Sequence, residues 1–254
     1  MINKAAVYVL WIREMKRFVR AKSRVAGALG MPMFFLAFLG LGFRRMAIPG
    51  VSEDLNYIQF LVPGIIGMSI IFSSTFAGMS VLWDREFGFL KEIMVAPVSR
   101  ISVVLGRIAG GATTAMIQGA LILGISIIVG FKILSVLSLL LAIIFMLLVA
   151  VTFIGMGLII ASKMRDMQGF GIIINFIIFP LFFLSGALYP IENFPTLIRY
   201  ISYLDPLTYG VDGLRAALLQ VSSFSIVLNL VILGAFSLVM ILLGAYFFEK
   251  SESV

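Results

Sequence analysis

Six stretches of largely apolar residues, at roughly 25–43, 58–82, 104–130, 133–161, 169–189 and 225–248, leave this chain few ways to fold. About 20 such residues in a helix cross the hydrocarbon layer of a bilayer. Apolar residues are 61% of the 254 and charged residues only 12%, against about 45–50% and about 25% in soluble domains. A soluble globule of this length could not cover that much apolar surface, whereas lipid as the outer solvent lets apolar side chains face outward. The same composition excludes intrinsic disorder. Residues 1–24 are too charged for the apolar core of a cleavable leader, so the first span is expected to stay as a helix.

Orientation follows from where Lys and Arg fall. With both termini placed in the cytoplasm, the inner segments carry 14 of the 19 basic residues, among them Arg13, Lys16, Arg17, Arg20, Arg85, Arg100 and Arg107. The outer segments carry Arg44, Arg45, Lys132, Arg199 and Arg215. This bias accounts for the net charge of +7 without any nucleic-acid partner.

Three segments are not spans. Over residues 4–24, Val7, Trp11, Met15, Phe18 and Val19 recur at helical spacing among basic residues, which predicts an amphipathic helix in the interface with anionic headgroups beside it. Between spans two and three, Phe89, Leu90, Ile93 and Met94 form a short apolar stripe beside Arg85, Glu86, Lys91 and Glu92. Pro97 ends that element and Ser99 is placed to cap the next helix. A short amphipathic helix there would either dock a soluble partner or lie on the membrane. The segment 190–224 carries two apolar stripes, 197–204 and 207–218, separated by Asp205-Pro206. It predicts two short helices set into the outer leaflet or against other spans, with Asp205 capping the second. Asp212 and Arg215, three apart, would pair with each other or reach across the outer mouth.

The chemistry available is narrow. There is no Cys and no His, so a disulfide, a zinc site or a His-based triad cannot be built within the chain. No ionisable residue lies near the middle of a span, which disfavours a proton-coupled carrier, a voltage-gated channel or an intramembrane enzyme. Gly-Lys never occurs, so a phosphate-binding loop of the Walker type is impossible. The mild polar residues of the spans, together with Gly106 and Gly110, suit close helix packing. Alternatively, Ser73, Asn175, Phe179, Phe182 and Phe183 line a path for an amphipathic substrate.

Two stretches carry a resemblance. One is Arg85-Glu86-x-Gly88-x-Leu90 through Pro97-Val98-Ser99-Arg100, followed by Gly106-Arg107. The other is Leu184-Ser185-Gly186-x-x-x-Pro190, Pro195, then Asp205-Pro206-Leu207-Thr208-Tyr209-x-x-Asp212-x-Leu214-Arg215. Together with the span spacing, they resemble the permease subunits of ABC-2-type ATP-binding-cassette exporters, most nearly the daunorubicin-resistance and nodulation-type branch. The resemblance covers essentially the whole chain.

It implies an all-α membrane protein with a single domain over 1–254: an interfacial helix at 1–24, spans one and two at 25–82, a coupling segment at 83–100, spans three to five at 101–189, an outer re-entrant hairpin at 190–224, and span six with its tail at 225–254. It further implies export of an amphipathic drug-like or lipid-linked substrate across a prokaryotic inner membrane. Polysaccharide or teichoic-acid export is the alternative within the family, and an ion-coupled carrier or channel the alternative outside it. ATP and magnesium would bind two copies of a partner ATPase, and a second permease would complete a homodimer; this chain would hold no cofactor. Coupling to the ATPase would fall to Arg85, Glu86, Gly88, Phe89, Leu90, Glu92 and Arg100, and the outer gate to Pro190, Pro206, Asp212 and Arg215.

Overall fold

A computed structural model describes residues 3–43, 56–89, 95 and 98–251. The helices are α1 (Lys4–Arg20), α2 (Lys22–Gly42), α3 (Tyr57–Ala77), α4 (Met79–Glu86), α5 (Arg100–Ile128), α6 (Val136–Lys163), α7 (Met167–Leu184), α8 (Thr196–Ser202), α9 (Pro206–Leu219) and α10 (Ile226–Ser251), with a 3-10 turn at Ile191–Asn193. No strand occurs among the described residues. Six helical stretches are long and apolar enough to cross a membrane: Val25–Gly42, Tyr57–Glu86, Arg100–Ile128, Val136–Lys163, Met167–Leu184 and Ile226–Phe248. They fall on the six spans expected, and the protein is an all-α, multi-pass membrane protein.

Local sequence sets most helix ends. Asn3 opens α1, its side chain accepting from the Ala5 and Ala6 amides at 3.1 and 3.2 Å. Ser99 caps α5 through the Ser102 amide, and Asp205 caps α9 through the Leu207 amide at 2.9 Å, with Pro206 in the first turn, where its missing N–H is harmless. The second span runs further than its hydropathy suggests. After a break at Gly78, α4 carries the helix through Glu86, so residues 83–86 extend the span instead of starting a separate coupling helix. Most of the expected coupling helix, including Leu90 and Glu92, lies outside the described residues.

The core is built around α3, nearly all of whose residues are buried, with α2, α5, α6 and α9 packed on it. Helix α9 is the least predictable member. It is too short and polar to span, yet all of it from Pro206 to Leu218 is buried among α3, α6 and α10. Glycines make the fit possible: a side chain at Gly213 would collide with the Phe145 ring, and one at Gly67 would stand 2.9 Å from Val211. Helix α8 and the turn after it stay at the surface, with Leu197, Tyr200 and Leu204 exposed.

Candidate functional site

The end of the bundle where α1 lies and α10 finishes gathers a cluster of charge among the described residues, and its centre is Asp84. The carboxylate sits on the last turn of α4 and is only 3% exposed. Arg13 of α1 grips it with two hydrogen bonds, one from Nη1 to Oδ2 at 3.0 Å and one from Nη2 to Oδ1. Arg107 of α5 approaches from the other side, Nη2 to Oδ2 at 2.8 Å, and donates through Nη1 to Ser80 Oγ at 3.1 Å. One carboxylate thus joins three helices. Aromatic faces complete the shell: Phe89 lies 3.8 Å under the Arg13 guanidinium, and Phe248 of α10 lies 5.7 Å from that of Arg107.

Depth makes these buried charges tolerable. Helix α5 has 29 residues, about 43 Å long against a hydrocarbon layer of about 30 Å. Arg107 stands roughly 10 Å from the helix start, so a helix centred on that layer puts the cluster within about 4 Å of its edge. There long basic side chains and water relieve the penalty that a charge meets at the bilayer centre.

Helix α1 is clamped onto this end. Its contacts climb α5 in register: the Asn3 amide to Ser102 Oγ at 2.8 Å, Leu10 against Gly106, Glu14 against Gly110, and Trp11 Nε1 to Thr113 Oγ1 at 3.0 Å. A Cβ added at Gly106 or Gly110 would stand 2.8 or 2.7 Å from those α1 side chains. The small-residue pair therefore receives the amphipathic helix rather than another span. Arg17 is held by Glu14 at 2.8 Å and lies over Trp83 at 5.2 Å.

The residues expected to couple this chain to a partner separate into two groups. Arg85 turns inward, donating to the Met164 carbonyl between α6 and α7 at 2.9 Å, and Phe89 lies beneath Arg13. Glu86 faces outward, beside Phe87, which is 79% exposed. Gly88 has φ +75° with open space where a side chain would project, so the backbone turn, not a close approach, selects glycine. Arg100 opens α5 and is partly exposed. Sequence reasoning missed Phe87 and the Asp84 cluster. Asp84 and Arg107 are 23 positions apart, and the only available hint was charge placed at the ends of apolar runs.

At the opposite end, Asp212 and Arg215 are both buried and do not pair. Asp212 accepts from the Ser223 and Phe224 amides at 2.8 and 3.0 Å and from Asn229 Nδ2 at 2.8 Å. Arg215 donates to the Gly186 carbonyl at 3.0 Å and stacks 3.8 Å over Phe60. Pro190 and Pro206 are buried beside them. Burial pushes the Asp205 carboxyl up to about 8, against the pull of the Leu207 amide and the Thr208 hydroxyl.

The expected substrate path is not one surface. Ser73 lines a cavity between α2, α3 and α5, and Phe179 packs edge-on against Phe72 of that cavity at 5.3 Å between ring centroids. Phe182 is fully buried against Phe35, Phe183 is half exposed, and Asn175 lies on an exposed face of α7.

Six spans, a helix laid along one end and a short buried helix before the last span define a membrane-embedded transport subunit, and the sequence comparisons agree. The profile of the ABC-2 type transporter family matches residues 5–219, and the chain belongs to that family. It is 27% identical over 235 residues to the inner membrane transport permease YadH of Escherichia coli K12, covering 91% of this chain and 90% of that one. It is 28% identical over 252 residues to the putative transport permease ycf38 of Cyanophora paradoxa, covering 92% and 87%. Nodulation protein J of Rhizobium meliloti is 27% identical over 216 residues, covering 82% and 81%.

Proposed function

We propose that this permease exports an amphipathic, drug-like or lipid-linked substrate, driven by ATP and magnesium turned over on a separate ATPase subunit. The carrying observation is at the charged end. Glu86 and Phe87 form an exposed polar and aromatic tip, and the residues around them are tied to the bundle through Asp84, Arg85 and Phe89. A force applied at that tip reaches α1, α5 and the α6–α7 connection at once.

In this reading the charged end is cytoplasmic, both termini lie there, and the membrane is the inner membrane of a prokaryote. Two copies of the chain and two ATPases make the working unit, the stoichiometry that the family resemblance implies. Glu86 meets a basic group on the ATPase, while Leu90, Glu92 and Arg100 continue the contact. The helices between spans five and six form the outer gate. Pro190 and Pro206 set where they start, and Asp212 and Arg215 hold α9 as one body with the spans around it.

The test is ATP-driven export by vesicles containing this chain with its ATPase, compared with the Glu86→Lys variant. Expected is normal insertion and continued ATP hydrolysis with substrate movement lost. Unchanged export in the variant removes Glu86 from the coupling contact. Substrate flux that is independent of the ATPase overturns the exporter reading.

A further inference from the structure

Where α1 lies along α5, one flank of the pair is left open. A groove of about 460 Å³ runs there, walled by Lys4, Val7, Tyr8 and Trp11 of α1 and by Leu105 and Ala109 of α5, a size usual for a ligand site. Tyr8 is 59% exposed and stacks on Trp11 at 6.0 Å between ring centroids. The indole N–H is already held by Thr113 Oγ1, so Trp11 offers the groove only its apolar ring. Ile101 and Ile117, on α5 beyond either end of the groove, are exposed as well.

Depth and charge together define what fits. With α5 centred on the hydrocarbon layer, about 7 Å of the helix projects at each end. Leu105 and Ala109 then lie about 1 and 7 Å inside the layer. Lys4 follows Asn3, whose amide donates to Ser102 Oγ at 2.8 Å, and Ser102 lies about 4 Å outside it. The groove therefore runs from the level of lipid phosphates down to the level of acyl chains. Lys4 is the one ionisable side chain among its lining residues, it is exposed, and it pairs with no acidic side chain among the described residues. A cation at the mouth and apolar walls below match an anionic amphipath standing in the leaflet. A soluble protein does not reach below the headgroups, and a zwitterionic lipid brings an ammonium of its own to the level of Lys4.

We infer that this groove seats a phospholipid of net negative charge from the leaflet at the charged end, one acyl chain lying between Tyr8 and Trp11 on one side and Leu105 and Ala109 on the other, with its phosphate on Lys4. The lipid adds to the contacts that hold α1 on α5. Because Arg13 of the same helix grips Asp84, it also bears on the cluster that joins α1, α4 and α5. The site is independent of which substrate the permease carries and of the ATPase.

The test uses Trp11 as reporter. The chain has two tryptophans, so Trp83→Phe leaves Trp11 alone and keeps a ring beneath Arg17. The full chain in that background is placed in phosphatidylcholine bilayers containing a minor fraction of phosphatidylglycerol brominated midway along its acyl chains, whose bromine quenches indole on contact. A parallel series carries the same fraction of brominated phosphatidylcholine. Expected is stronger quenching by the anionic lipid, equivalent to about fivefold higher affinity, the preference one lysine near an anionic surface supplies. Lys4→Gln, a change at an exposed position, should bring the two lipids to parity. Ala109→Phe should fill the groove and lower quenching by both, and Ala109→Leu serves if the phenylalanine variant does not insert. Equal quenching by the two lipids in the parent chain, a preference that survives Lys4→Gln, or quenching unchanged when the groove is filled overturns the site. So does a Trp11 that neither lipid quenches, the result expected if a second copy of the chain covers the groove instead.

Discussion

The two ends of this bundle both bury charge, and they do so in opposite ways. At the charged end, Asp84 is balanced by side chains from two other helices, Arg13 and Arg107. At the other end, Asp212 is satisfied by two backbone amides and one side-chain amide drawn from positions 223–229, and Arg215 donates to a backbone carbonyl and stacks on Phe60. Backbone donors fix their acceptor in place. Ion pairs between long side chains on separate helices can exchange partners when one helix shifts. The first arrangement suits a joint, the second a strut. That contrast is what the proposed function requires, a permease driven from one end and opened at the other.

The contrast is most exposed to a single carboxylate. Asp84→Ala strands Arg107 in a buried site, which should cost about 3–5 kcal/mol, the largest effect at either end. Thermal melting of the detergent-solubilised chain measures it. Pairing Asp84→Leu with Arg107→Met should recover much of the loss, because an apolar pair of similar volume often replaces a buried ion pair without penalty. A double variant no more stable than Asp84→Ala would show that the cluster is not a closed electrostatic unit.

Asp212→Ala should cost less, about 1–3 kcal/mol, since the groups hydrogen-bonded to it are neutral donors and Arg215 keeps the Gly186 carbonyl and the Phe60 ring. Its effect should concentrate on the α9–α10 connection, read as faster hydrogen exchange at the Ser223 and Phe224 amides. Uniform loosening of the whole bundle would mean that α9 is not locally braced.

Cysteines placed in this Cys-free chain sharpen the gate reading. Because α9 is buried, crosslinks between chains should form at Leu204, exposed just beyond α8, and be absent at Leu214. Their yield at Leu204 should change with nucleotide on the partner ATPase. Efficient crosslinking at Leu214 would place α9, not the turn before it, at the outer mouth.

At Asp205 the expected effect is a dependence of stability on pH, and only the loss of its cap is small. Its folded value is raised to about 8, above an unfolded value of about 3.9. Stability is therefore greatest below the unfolded value, declines as pH rises, and levels off once pH passes about 8. Asp205→Asn keeps a capping side chain and removes that slope in melts taken between acidic and mildly alkaline pH. Asp205→Ala loses the cap, about 1 kcal/mol.

How much of this was legible beforehand differs by kind of interaction. The spans were, because hydropathy over about 20 residues is local information and lipid leaves a helix almost no alternative. The caps at Ser99 and Asp205 were, because each bonds an amide two or three residues away. The amphipathic helix at 4–20 was visible from its periodicity, but not that it would lie along Gly106 and Gly110 of α5. Arg85 and Phe89 read as docking residues, and their inward contacts depend on Met164 and Arg13, which are distant in sequence.

The sequence by itself determined that the chain spans a membrane six times, that it carries no nucleotide loop and no metal-binding histidine or thiolate, and which family its motifs resemble. Each of these depends on residue type, run length or spacing along the chain. Only the tertiary structure decided that Asp84 joins three helices, that Asp212 and Arg215 bond to different partners, that α9 is buried from Pro206 to Leu218, and that Gln118 lines a cavity. Those outcomes depend on how helices separated by tens of residues are placed side by side. In apolar helices, many faces are chemically alike, and close packing at a few glycines chooses among them.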